Sequence, residues 1–124
     1  MNSTVVIGVV IVAAFVFLRF RNGAGSKIKG IDSPTLKDMQ KNKDVVLIDV
    51  RTPKETAAGK INPKALEINV MSSDFKQKVG NLDKDATYVV YCRSGQRSRR
   101  ACSIMEQAGF KEVYNLDGGI MGWK

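Results

Sequence analysis

The strongest constraint in this sequence is a junction. The β-prone run TYVVY, residues 87–91, passes without a spacer into Cys92-Arg93-Ser94-Gly95-Gln96-Arg97-Ser98 and then into a helical pattern. A short continuous apolar run reads as a strand buried on both faces, the kind found in parallel sheets. Residues 45–49, VVLID, make a second such run. Around them the chain alternates. Ser33-Pro34 signals a helix start, with Ser33 as cap, running to about Asn42. Thr52-Pro53-Lys54-Glu55 has the spacing of a capping box, and Gly59 stops that short helix. Residues 65–70 read as a strand and 72–79 as a helix, with a turn at 83–85. Residues 98–108 read as a helix with an apolar stripe of Ala101, Ile104, Met105 and Ala108. Residues 113–116 give a last strand, and Asp117-Gly118-Gly119 turns into a short final helix. Strands alternating with helices predict an α/β fold, a central parallel β-sheet with helices on both faces. Such sheets bind ligands beyond the carboxyl ends of their strands. The two strongest strands end at Asp49 and Tyr91, and Cys92 follows directly.

The loop after Tyr91 is expected to carry the chemistry. A turn this tight points backbone N–H groups inward as a nest, and the following helix adds partial positive charge. Arg93 and Arg97 add full charges, Gly95 supplies conformational freedom, and Ser98 is the expected helix cap. Each effect favours thiolate over thiol, so Cys92 becomes a nucleophile without a general base. The bland alternative, a buried structural cysteine, fits Cys92 poorly because its neighbours are polar. It fits Cys102 well, since that residue lies mid-helix beside the apolar stripe.

What the chain lacks narrows the chemistry further. It has no histidine, which removes His-based metal sites, Ser-His-Asp triads and Cys-His pairs. Two cysteines make no disulfide framework. No metal and no cofactor are expected. The net charge is +8, but Arg19, Arg21, Lys27 and Lys29 lie in the first 30 residues with no acid among them. The remaining 16 bases face 12 acids. No basic stripe interleaved with aromatics appears, so no nucleic-acid partner is expected.

Residues 5–18, VVIGVVIVAAFVFL, form an unbroken uncharged run. With its flanks the span covers 18 residues, about 27 Å as a helix against a hydrocarbon core of about 30 Å. Three readings compete: an uncleaved membrane anchor, a cleaved signal peptide, and a buried helix. A signal peptide carries its bases before the apolar run, and here they follow it. The expectation is therefore a transmembrane anchor over residues 1–21, a flexible linker over 22–27, and a folded domain over 28–124. The positive-inside rule places that domain in the cytoplasm. Periplasmic release after cleavage is the alternative.

Several motifs together resemble the rhodanese-like domain family. Asp49-Val50-Arg51, Glu55, Gly59-Lys60-Ile61, Ala65 and Ile68-Asn69 are similar to the first half of such a domain. Residues 90–98 are similar to its active-site loop. Gly109-Phe110, Val113, Leu116-Asp117-Gly118-Gly119-Ile120 and Gly122-Trp123 are similar to its C-terminal signature. The resemblance implies a central parallel sheet and transfer of sulfane sulfur through a cysteine persulfide. It implies that Cys92 takes sulfur from a donor such as thiosulfate and passes it to cyanide or a thiol. Residues Arg93, Ser94, Gly95, Gln96, Arg97 and Ser98 would hold the persulfide, with Arg93 and Arg97 orienting an anionic donor. Asp49 and Arg51 would brace the loop or touch substrate. Lys60 departs from the family, which commonly has His there, and leaves donor preference open.

Two other functions are carried alongside membrane-anchored sulfur transfer. One is a non-catalytic docking module at the membrane, which such a complete loop disfavours. The other is a phosphatase. The phosphatase relatives place five residues between Cys and Arg, whereas four separate Cys92 from Arg97. The shorter loop is expected to grip one sulfur and exclude a phosphoryl group.

Overall fold

The computed structural model describes residues 28–124. The anchor and linker expected over residues 1–27 lie outside the described residues. Among the described residues, no helix is long and apolar enough to cross a membrane.

The elements run β1 (Lys29–Ile31), α1 (Ser33–Met39), β2 (Val45–Asp49), α2 (Pro53–Ala57), β3 (Leu66–Glu67), α3 (Phe75–Gly80), β4 (Thr87–Tyr91), α4 (Gln96–Gln107) and β5 (Glu112–Leu116). A 3₁₀ turn over Ile120–Gly122 follows. The strands form one sheet in the order β1-β5-β4-β2-β3, and every pairing is parallel. Successive residues of the central strands serve opposite faces, because side chains alternate across a pleated strand. Ile48, Tyr88 and Val90 pack with Phe75 and Val79 of α3 and with Ala101, Cys102 and Met105 of α4. Leu47, Val89 and Tyr91 pack on the other side with Leu36 of α1, against Ile120 and Trp123. Both faces are therefore covered, which is why VVLID and TYVVY show no polar alternation.

The topology fixes where the site lies. From β2 the chain moves outward to β3, and from β4 it moves the opposite way to β5. The switch falls between β2 and β4, and a crevice opens there beyond the strand ends. Asp49 and Tyr91 are register partners across that boundary, so Cys92 emerges at the switch point.

Several boundaries differ from expectation for local reasons. Asp32 caps α1: its carboxylate accepts from the Thr35 N–H at 2.9 Å, and Ser33 lies inside the first turn. The carboxylate competes well here because an ionised acceptor binds an N–H more strongly than a hydroxyl does. Of the expected strand, residues 66–67 form the regular ladder with β2, and the Ile68 and Val70 N–H groups reach the Asp49 and Val50 carbonyls beyond it. Residues 72–74 form a turn ahead of α3, closed by the Phe75 N–H on the Ser72 carbonyl. The capping box on α2 is formed as the Thr52 and Glu55 spacing predicted.

Candidate active site

Helix α4 begins at Gln96, two residues earlier than predicted, and Gly95 occupies the N-cap with φ 111°. Only glycine adopts that backbone readily. Ser98 is therefore not the cap. It lies in the first turn, fully buried, and turns its hydroxyl toward Cys92.

Cys92 is 1% exposed. Its Sγ accepts the Gly95 N–H at 3.1 Å and faces the Ser98 Oγ at 3.4 Å. Burial alone pushes a thiol pKa up, because it penalises the charged form. Here the Ser98 hydroxyl and the backbone N–H groups of Ser98, Gly95 and Ser94 outweigh burial, and the Cys92 pKa is lowered below the ordinary thiol value. The thiolate is stabilised by hydrogen bonds from a preformed nest rather than by a salt bridge.

The C-terminal segment gives the nest its orientation. The Ile120 N–H donates to the Cys92 carbonyl at 2.9 Å, and the Met121 N–H donates to the Arg93 carbonyl at 3.0 Å. With those carbonyls tied outward, the loop N–H groups are left facing the sulfur. This approach requires Gly119, whose φ is 58°. A Cβ there would overlap the Arg93 carbonyl and come within 2.6 Å of the Cys92 oxygen.

The two loop arginines separate. Arg97, expected to orient an anionic donor, instead forms a fork with Glu55 of α2: Nη1–Oε1 at 2.7 Å and Nη2–Oε2 at 2.8 Å. The carboxylate takes two of the five guanidinium N–H donors and fixes the Arg97 side chain against α2. The Arg97 side-chain hydrogen bonds, with its charge, hold Glu55 at about 2. Arg93 is exposed, and its side chain has no hydrogen bond or ion pair among the described residues. Ser94 and Gln96 are exposed beside it.

Asp49 and Arg51 form a buried pair at the end of β2, with Nη2–Oδ2 at 2.7 Å. Arg51 Nη2 also donates to the Gly59 carbonyl at 2.5 Å. They hold the turn into α2 and its exit together, so their contacts brace the crevice wall. Lys60 is likewise occupied: its Nζ donates to the Pro63 and Ala65 carbonyls and pairs with Glu67 at 3.0 Å. Cys102 is fully buried in the core. Burial pushes its thiol pKa well up.

The rhodanese-like domain family matches residues 32–124. The chain belongs to that family. YtwF of Bacillus subtilis is 41% identical over 99 residues, covering 79% of this chain and 92% of that one. A protein of Pseudomonas putida named thiosulfate sulfurtransferase GlpE is 32% identical over 99 residues, covering 80% of this chain and 87% of the other. A rhodanese-like domain protein from Staphylococcus aureus superposes with a TM-score of 0.69 at 31% identity, covering 78% of this chain and 92% of that one. The parallel sheet and the loop geometry agree with that membership.

Glu55, Asn115 and Gly119 matter to the rhodanese loop and were not singled out from sequence as site residues. Glu55 was legible as a helix cap and as part of the family motif, but not as the partner of Arg97, which lies 42 residues away. Asn115 left a clear signal: it is a lone polar residue in an apolar strand end, and it is 2% exposed. Its Oδ1 accepts from Ser98, and its Nδ2 reaches the Gly95 carbonyl at 3.4 Å.

Proposed function

We propose that this protein is a sulfurtransferase that carries sulfane sulfur on Cys92. The observation that carries the reading is the Cys92 sulfur itself, buried at the strand switch point and receiving N–H and O–H donors with a lowered pKa. The thiolate attacks the outer sulfur of a donor such as thiosulfate. A Cys92–sulfur bond forms, the donor's S–S bond breaks, and its electron pair leaves with sulfite. The outer sulfur then carries the negative charge, and the nest of N–H groups stabilises it. In the second half, cyanide or a thiol attacks that sulfur and the thiolate returns. No external oxidant or reductant is consumed. Arg93 is the loop cation available to draw in an anionic donor.

The narrow loop also bears on the phosphatase reading. With four residues between Cys92 and Arg97, and Arg97 forked to Glu55, the guanidinium at the end of the loop is engaged by a carboxylate rather than left free for a phosphoryl group. The test is steady-state kinetics with thiosulfate and cyanide. Thiocyanate release with parallel double-reciprocal lines is the expected two-step pattern. Phosphate release from an aryl phosphate, with no thiocyanate formed, would overturn the reading.

We propose further that residues 1–21 anchor the enzyme in a membrane with its catalytic domain in the cytoplasm. The length of the apolar run and the four bases that follow it support this. A membrane-impermeant thiol reagent should leave Cys92 unlabelled in intact spheroplasts and label it after permeabilisation. Labelling in intact cells would place the domain outside.

A further inference from the structure

The Ser98 hydroxyl has one hydrogen and three acceptors around it. Cys92 Sγ lies at 3.4 Å, the Gly95 carbonyl at 3.1 Å, and Asn115 Oδ1 is in close hydrogen-bonding contact. The Gly95 carbonyl is served by other donors. The Arg99 N–H reaches it at 3.1 Å and Asn115 Nδ2 at 3.4 Å. The Asn115 amide cannot usefully flip. Its Nδ2 side faces two acceptors, the Gly95 carbonyl and Asp117 Oδ1 at 3.3 Å, so Oδ1 must face Ser98. The competition for the Ser98 hydrogen therefore reduces to Asn115 Oδ1 against the Cys92 sulfur. Ser98 and Asn115 are 0% and 2% exposed, so bulk solvent does not reach either group.

We propose that Asn115 is a positioning residue for Cys92, one that sets the sulfur's proton affinity through Ser98. While Cys92 is a neutral thiol, the amide oxygen is the better acceptor and holds the hydroxyl hydrogen. When Sγ becomes anionic, a charge-assisted bond draws that hydrogen across. When a persulfide forms, the charge moves one atom outward and the hydrogen returns to Asn115. No buried hydroxyl is left unpaired in any of these states, an arrangement that avoids a full desolvation penalty. The persulfide half of this cycle rests on the sulfur-transfer reading; the thiol–thiolate half stands without it.

Other groups also face Cys92 and must be held constant. Arg97 on α4 is paired with Glu55, and Asp49 is paired with Arg51 at the end of β2. Arg93 lies on the loop, Asp117 lies beyond Asn115, and Cys102 lies in the core below. None of them is altered in the test.

The test measures alkylation of Cys92 by iodoacetamide against pH on the full chain in mild detergent, with the product located by peptide mass. Ser98→Ala should move the midpoint up. Asn115→Leu removes the competing acceptor and should move it down, raising the rate below the midpoint by about three- to tenfold, the worth of one neutral hydrogen bond. The double variant should behave as Ser98→Ala alone, because the effect of Asn115 passes through Ser98. An upward shift in Asn115→Leu, or a shift that persists without Ser98, would overturn the proposal.

A second readout needs no change at Asn115. In the unaltered protein the Asn115 side-chain amide resonances should titrate with the Cys92 midpoint, and in Ser98→Ala that titration should vanish. Equal movement in both proteins, or none in either, contradicts the relay. A protein that passes these tests yet takes no sulfur from any donor keeps the relay and loses the sulfur-transfer reading. The opposite pattern keeps the sulfur transfer and loses the relay.

Discussion

Replacing Glu55 by Gln isolates the ion pair that ties α2 to the active-site loop. Gln keeps an oxygen for the Thr52 N–H of the capping box, so the helix start survives. What disappears is the charge facing Arg97 at 2.7 Å. A carboxyl moved from 4.5 to about 2 corresponds to about 3 kcal/mol at full strength. The two side chains are 28% and 29% exposed, so solvent screening reduces the expected contribution to about 1–2 kcal/mol. The folded-state pKa lies below the unfolded one. The stabilisation is therefore complete above about pH 4.5 and is lost as pH falls through about 2. Urea unfolding of both proteins at pH 7 should show the variant less stable by about 1–2 kcal/mol, with unchanged slope. The gap should narrow below pH 4.5 and close near pH 2. A deficit of the same size at both ends of that range would mean that packing or capping, and not charge, was lost.

Because Arg97 is engaged by Glu55, Arg97→Ala should lower turnover about equally with thiosulfate and with an uncharged persulfide donor; a loss confined to thiosulfate would return Arg97 to donor binding. Arg93→Ala should instead raise KM for thiosulfate about three- to tenfold and spare the uncharged donor, as expected for an exposed cation. Gly119→Ala should cost about 2–4 kcal/mol and abolish turnover, since its Cβ would displace the Cys92 and Arg93 carbonyls; an active variant of ordinary stability would refute that packing argument. Lys60→Met should lower stability modestly and leave donor preference unchanged, because Nζ is spent on Glu67 and two carbonyls; a changed ratio of kcat/KM between donors would show contact with substrate.

The parts of the fold that could be read from the sequence were those set by local pattern. VVLID and TYVVY show no polar alternation because both faces are covered, and each is a strand as predicted. The Thr52–Glu55 cap is a three-residue relation and needed no tertiary knowledge. Strand β1 was missed because Lys29-Gly30-Ile31 has no strand signature; its partner β5, more than 80 residues on, defines it. Cys92 was legible from its polar loop at a strand-to-helix junction. The roles of Ser98 and Arg97 were not. A serine at a helix start reads as a cap, and only the φ of Gly95 shows that the helix begins earlier. Arg97 reads as a free cation until the fold brings Glu55 across to it. Asn115 could have been flagged, since a polar side chain near the end of a buried strand needs a partner.

On the sulfur-transfer reading, Cys92 holds sulfane sulfur during turnover. Intact mass spectrometry of the full chain, before and after exposure to thiosulfate, polysulfide and glutathione persulfide, measures it directly. One added sulfur, about 32 Da, should appear, be removed by cyanide, and persist in Cys102→Ser but not in Cys92→Ser. The Cys102 thiol is buried and its pKa is pushed up, so it should neither take nor resolve the persulfide. A mass unchanged by all three donors, in a protein whose Cys92 still alkylates readily, would contradict sulfur transfer through Cys92.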